Sequence, residues 1–363
     1  MIIPLECPHC GKSTEVELKG ELEGGSCPEC DRAIPLDQLT IGPGVVLGNG
    51  YRLESKLTED TQVRVFVATQ ESMQRRVAIK ILPPEIAGDG EKVKRFRREV
   101  KLAANLQHPN VLAAYGAGED GGVHFLIKQY VPGKPLEDIC VKRGRLDEAQ
   151  ALKLLLPIAD ALGYAWEENR VIHRNIKPEN ILVTEERKPM LMDLGIAKSM
   201  EQDATDITSA GFTMGTPEYM SPEQIRGVSD MDCRSDIYSL GATLYRLVTG
   251  SVPFADNNPM GVMQKHLKEA PVPAQFKEPA VSTPCSALID RMLAKDRDDR
   301  PDSWDEVKAE FKAVLKGDKA AAGGRSRHRE HTPKRGTEAP SQRAAGKSKR
   351  REAKRQKVVT RQH

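Results

Sequence analysis

Four cysteines near the start of the chain are spaced to hold a metal ion. They form two pairs, Cys7-Pro8-His9-Cys10 and Cys27-Pro28-Glu29-Cys30, reading C-x2-C-x16-C-x2-C. This is zinc-ribbon spacing. Each pair can turn on a tight knuckle so that two thiolates reach one ion at about 2.3 Å, and four thiolates close a tetrahedron. A closed site leaves no position for water, so Cys7, Cys10, Cys27 and Cys30 predict a structural zinc. His9 lies between ligands and is expected to be exposed. A segment this short has too little core to stand without its metal. The remaining cysteines, Cys140, Cys233 and Cys285, are scattered. This usage fits metal binding in a reducing cytoplasm rather than a disulfide framework.

A second set of chemical groups lies further on. Residues 171–183 read VIHRNIKPENILV, Lys80 ends the run Val77-Ala78-Ile79-Lys80, Glu99 stands in RFRREVKLAANLQHPNV, and Asp193 opens Asp193-Leu194-Gly195. In this order the stretches resemble the motifs of protein kinases, and from about Tyr51 to Leu315 the chain resembles a bacterial-type Ser/Thr protein kinase domain. The resemblance implies an α+β, two-lobed fold: a small sheet-rich lobe, a larger helical lobe, and nucleotide in the cleft between them. It implies ATP and magnesium as cofactors, with Lys80 on the α/β-phosphates and Glu99 as its helix partner. His173-Arg174 is followed by Lys177 and Asn180 at catalytic-loop spacing, and Asn180 with Asp193 would bind Mg²⁺. Leu194 replaces the usual Phe. Gly215-Thr216-Pro217-Glu218-Tyr219-Met220-Ser221-Pro222-Glu223 is similar to the peptide-positioning loop. The resemblance further implies a buried ion pair between Glu223 and Arg300, and an Asp236 that caps the catalytic-loop backbone.

Three positions depart from that pattern. Asn175 stands where the catalytic Asp is expected; its amide can hold a substrate hydroxyl but cannot accept a proton at neutral pH. General base catalysis is typically worth about 10²–10⁴-fold. Phosphoryl transfer depends mostly on positioning and metal charge, so this loss predicts severe impairment rather than zero activity. The phosphate loop, expected as G-x-G-x-x-G-x-V, reads Thr58-Glu59-Asp60-Thr61-Gln62-Val63-Arg64-Val65 without a glycine. Glycines let backbone approach phosphate at positive φ, which β-branched Val63 cannot do without strain. Glu59 and Asp60 also bring negative charge towards a triphosphate. The loop reads as an ordinary hairpin closing the lobe, with a specialised phosphate grip as the alternative. Lys128, in VHFLIKQYVPG, aligns where a mostly apolar residue guards the back of the adenine pocket. It would either snorkel to solvent or pair with Glu99 in place of Lys80.

The elements that must position these groups follow from patterning. Residues 1–36 are Cys-paired and turn-rich, and read as a zinc-ribbon-like domain. Residues 37–50 read as a linker, with IGPGVVLGNG at 41–50. Residues 51–315 form the kinase-like domain. Within it, Tyr51 to Leu82 alternates as strands do, Glu91–Gln107 is a basic amphipathic helix, Val123–Val131 is strand-like, and Asp147–Glu168 is helical despite Pro157. Residues 316–363 hold 16 Lys and Arg against 4 Asp and Glu, a surplus of 12, so the rest of the chain is net negative by 9. Gly/Ala/Lys/Arg/Ser-rich composition leaves this basic tail too little to bury, and it reads as disordered. No run of 18 apolar residues predicts a membrane span, and MIIPLECPHC lacks the pattern of a signal peptide.

Changes confined to the catalytic machinery, on an intact scaffold, read as a pseudokinase: a cytoplasmic signalling protein that acts by binding protein partners, such as an active kinase or its substrates, or as a nucleotide-sensing scaffold. One alternative is a weak but genuine Ser/Thr kinase using Lys80, Glu99, Asn180 and Asp193. Another is a nucleic-acid-associated protein, whose tail would bind phosphate backbones without base specificity because it has no aromatic residue. Acidic protein partners or anionic lipid suit the tail equally. Thr205, Thr208, Ser209 and Thr213 are candidate phosphorylation sites, with Arg174 available to pair.

Overall fold

The computed structural model describes residues 2–7, 9–17, 25–34, 41–57, 64–82, 89–193 and 216–317. The phosphate-loop residues 58–63, the candidate phosphorylation sites and residues 318–363 of the basic tail lie outside them.

The first strands serve the cysteine knuckles: β1 (Ile2–Glu6), β2 (Ser13–Glu17), β3 (Gly25–Ser26) and β4 (Ala33–Ile34). There follow β5 (Val46–Leu47), β6 (Tyr51–Lys56), β7 (Arg64–Gln70), β8 (Arg75–Ile81), β9 (Ala114–Asp120) and β10 (Val123–Gln129). They make one sheet in the order β2-β1-β5-β6-β7-β8-β10-β9. The expected linker is therefore partly a strand. β5 pairs with β6 and, through Ile2 opposite Val46, with β1. Val46 and Leu47 supply the apolar character, β-branched at Val46, that a short strand between two others needs.

Alternation along β8 and β10 divides the sheet's two faces. Val77, Ile79 and Ile81, with Phe66, Phe125 and Ile127, are buried in one cluster with Cys7, Val16, Cys27 and Ile34. The cysteine module thus covers that face. The opposite face carries Ala78, Lys80, Leu126 and Lys128, since Lys128 lies across from Ala78 and Leu126 across from Lys80. Leu126 packs there with Phe96, Val100 and Ala103 of helix α1 (Gly90–Ala104).

The helical half begins with β11 (Gly133–Pro135), α2 (Leu136–Arg143) and α3 (Glu148–Asn169). Pro157 sits inside α3, as the sequence predicts. The lost hydrogen bond and ring clash cost about 3 kcal/mol. Burial of Leu155, Ile158, Ala159 and Leu162 on the same helix offsets this. A small sheet, β11-β12-β13, adds β12 (Ile181–Thr184) and β13 (Pro189–Leu191) and carries the loop from α3. Then come α4 (Pro222–Ile225), α5 (Cys233–Thr249), α6 (Pro259–Lys268), α7 (Ala274–Lys277), α8 (Thr283–Met292) and α9 (Trp304–Lys316). Helix α5 is the hub, buried along almost its whole length. At Gly241 a Cβ would come within 2.7 Å of Met292 Cβ, so only glycine lets α8 approach this closely. Among the described residues no helix is long and apolar enough to cross a membrane.

Candidate active site

The loop between α3 and β12 is held from below by Asp236, near the start of α5. Its carboxylate accepts the His173 N–H at 2.6 Å and the Arg174 N–H at 2.8 Å. This is the cap that the sequence predicts, and it holds Arg174 in a left-handed conformation, φ 68°, that L-residues otherwise avoid. Burial pushes the Asp236 carboxyl up, against the opposing pull of His173 and Arg174. Gln224 Nε2 donates to the Arg174 carbonyl at 2.6 Å, and the His173 ring bonds the Met192 carbonyl through Nε2 at 2.8 Å. The loop is therefore tied to α5, α4 and the residue before Asp193.

Within it, Asn180 Nδ2 donates to the Asn175 carbonyl at 2.7 Å, which leaves the side-chain oxygen of Asn180 as the atom that could hold a metal. Lys177 Nζ donates to Thr216 Oγ1, joining the catalytic loop to the peptide-positioning loop. Beneath these, Arg300 and Glu223 form the expected ion pair, bidentate at 2.6 and 2.9 Å, with Arg300 buried.

Lys80 reaches Asp193 Oδ2 at 3.1 Å. Lys128 reaches Asp193 Oδ1 at 2.7 Å. Lys128 does not snorkel, being 6% exposed, and the carboxylate it meets among the described residues is Asp193. The reason is strand parity, which sets Lys128 on the cleft face with Lys80. Burial would push the Asp193 carboxyl up, but the Lys128 and Lys80 ammonium groups outweigh it and hold it far below the carboxylate range. Asp193 itself sits at φ 57°. Glu99 falls on α1, while its side chain, like Leu194 and Gly195, lies outside the described residues.

This assembly of a lysine strand, a carboxylate after β13 and an Asp-capped loop is matched by the protein kinase domain family over residues 51–311. The chain belongs to the protein kinase family. It is 39% identical over 283 residues to the serine/threonine-protein kinase pkn3 of Myxococcus xanthus, covering 75% of this chain and 51% of that protein. It is 34% identical over 275 residues to the serine/threonine-protein kinase PknB of Mycobacterium leprae, covering 75% and 44%. The chain thus spans about half the length of these relatives. Among solved structures, the PknI kinase domain of Mycobacterium tuberculosis is similar at 25% identity and a TM-score of 0.63, covering 77% of this chain and 100% of that one. Oxygen donors on Asn180 and Asp193 suit the hard Mg²⁺ of kinase chemistry. In this kinase domain, however, both Asp193 oxygens already carry an ammonium.

The cysteines form a separate site. A tetrahedron with bonds of about 2.3 Å has edges of about 3.8 Å. Cys7 Sγ lies 3.8 Å from Cys30 Sγ and Cys10 Sγ 3.9 Å from Cys27 Sγ, and all four sulfurs fall within 4.8 Å of one another. The two knuckles repeat one geometry. The Cys7 N–H donates to the Lys12 carbonyl and the Gly11 N–H to the Cys7 carbonyl, as do Cys27 to Arg32 and Asp31 to Cys27. Gly11 and Asp31 take the required positive φ, 69° and 56°. His9 is exposed and its Nε2 bonds the Ala33 carbonyl at 3.0 Å, so it is no ligand here. The donor set fits a thiolate-bound dication such as zinc.

Proposed function

We propose that this chain is a kinase-fold signalling protein with severely reduced phosphotransfer, a pseudokinase that works chiefly by binding protein partners. The observation that carries this is Asn175. The loop around it is tied at Asp236, Gln224 and Asn180, yet the side chain offered to a substrate hydroxyl is an amide that takes no proton at neutral pH. ATP would supply the phosphoryl group, and Mg²⁺, where Asn180 and Asp193 hold it, would neutralise its charge. Lys80 and Lys177 would bind and orient phosphate, and Asn175 would hold the hydroxyl by hydrogen bond alone. A structural zinc on Cys7, Cys10, Cys27 and Cys30, cytoplasmic residence, and a basic tail that contacts acidic partners or nucleic acid complete the reading.

A slow but genuine Ser/Thr kinase is the second reading, favoured by the serine/threonine-kinase relatives and by the convergence of Lys80, Asn180 and Asp193. Transfer of radiolabelled phosphate to the chain itself and to a generic basic protein separates the two. Little or no transfer is expected. Turnover of about 1–100 s⁻¹, abolished by Lys80→Met, would overturn the pseudokinase reading.

A further inference from the structure

Lys128 stands at the end of β10, one residue before the Gln129-Tyr130 turn into the second lobe, and is 6% exposed. The pairing of Lys128 with Ala78 and of Leu126 with Lys80 puts both lysines on the cleft face. Asp193 arrives from β13 and takes one ammonium on each oxygen, Lys128 at 2.7 Å on Oδ1 and Lys80 at 3.1 Å on Oδ2. The one carboxylate of Asp193 thus faces two ammonium groups.

A magnesium ion needs a carboxylate oxygen at about 2.0–2.1 Å. An ammonium at hydrogen-bond distance takes one of the two lone pairs on each oxygen and sets a positive charge where the dication would bind. For Mg²⁺ to take Oδ1, Lys128 must give up this carboxylate or remain beside the dication and repel it; both outcomes are unfavourable. Phosphate oxygens, by contrast, are met well by lysine as a point charge.

We propose that Lys128 is a specificity-determining residue of the nucleotide cleft: a fixed ammonium standing in for the divalent metal at Asp193, so that the cleft takes a nucleoside triphosphate without Mg²⁺. The proposal rests on reading the cleft as nucleotide-binding.

The test is ATP titration of the full chain by calorimetry, in EDTA and in excess Mg²⁺, for the native protein and Lys128→Met. Native affinity should differ between the two buffers by less than about threefold. In Lys128→Met, which leaves Asp193 paired with Lys80 alone, Mg²⁺ should tighten ATP by about tenfold or more. Lys128→Gln, uncharged but polar, serves the same comparison if the methionine variant does not fold, and should behave alike. Equal Mg²⁺ dependence in native and variant proteins, large or small, overturns the role of Lys128 while leaving nucleotide binding intact. Absence of ATP binding in every protein and buffer overturns the nucleotide reading and this proposal with it.

Discussion

Asn180 Nδ2 donates to the backbone carbonyl of Asn175 at 2.7 Å, so the catalytic loop closes on the main chain of residue 175 and not on its side chain. The Asn175 N–H is likewise engaged, by His173 Nδ1 at 3.2 Å. Substitution at 175 therefore changes the chemistry offered to a substrate without removing what shapes the loop.

Asn175→Asp should raise phosphate transfer, but short of the about 1–100 s⁻¹ of ordinary kinases. If the base were the sole defect, the gain would reach about 10²–10⁴-fold. Residues 58–63 still lack glycine, however, and phosphate placement is a separate requirement. Asp60→Gly with Val63→Gly should mainly tighten ATP. All three changes together should exceed either set, because positioning and proton acceptance act on one transition state. Turnover and ATP affinity of these variants are the measurements. Full activity from Asn175→Asp alone would show that the glycine-free loop already grips phosphate.

The chain should carry about one zinc per molecule, and its loss should reach the strand of Lys80. Cys7 and Cys27 share a buried cluster with Phe66, Val77 and Ile79, and Ile2 pairs with Val46. Sequence patterning alone treats residues 1–36 as separable; the shared core argues otherwise. Cys27→Ser should release the metal, lower Tm by about 5 °C or more, and speed hydrogen exchange in β7 and β8. Full metal content after that change, or unchanged protection of β7 and β8 after metal loss, would refute the coupling.

Much of this was legible because each motif carries its own mechanism. Paired cysteines at knuckle spacing and an alternating VAIK strand each predict a local geometry that nearby backbone can build, whereas the Asp236 cap, 63 residues from His173, was implied by the kinase resemblance. The Glu223–Arg300 pair, 77 residues apart, was likewise legible only through that resemblance. What stayed hidden depended on strand parity across the sheet. Lys128 lies on the Lys80 face because of the β8–β10 register, and register is not written in either strand alone. Val46 and Leu47 looked like linker because two residues carry no periodicity; their pairing is supplied by β1 and β6.

Arg300→Met should destabilise the helical lobe by about 3–5 kcal/mol. Arg300 is buried and donates to both Glu223 oxygens and to the carbonyls of Ala294 and Arg234. Without it Glu223, 6% exposed, is a buried carboxylate with no counter-charge. Adding Glu223→Leu should recover part of the loss, a coupling of about 1–3 kcal/mol. Urea unfolding of Arg300→Met, Glu223→Leu and the double variant measures it. Additive losses would mean that the packing of Arg300, not its charge pairing, is what stabilises the lobe.

His266 should make the lobe acid-sensitive. It is fully buried on α6, bonded through Nδ1 to the Tyr238 hydroxyl at 2.8 Å, with its ring 4.8 Å from that of Phe254. Burial, and then the nearby charge of Lys295, bring it from the ordinary 6.5 down to about 3. Between those values the unfolded chain binds a proton that the native state refuses. Stability contributed by the neutral ring is therefore full above pH 6.5 and falls as pH drops towards about 3. The slope approaches about 1.4 kcal/mol per pH unit for this one group. His266→Gln should flatten that part of the curve, whatever it costs at neutral pH, because glutamine does not titrate. Urea midpoints at several values between pH 4 and 7, roughly the window over which an unfolded imidazole gains its proton, provide the check. An unchanged slope in the variant would assign the acid sensitivity to other groups.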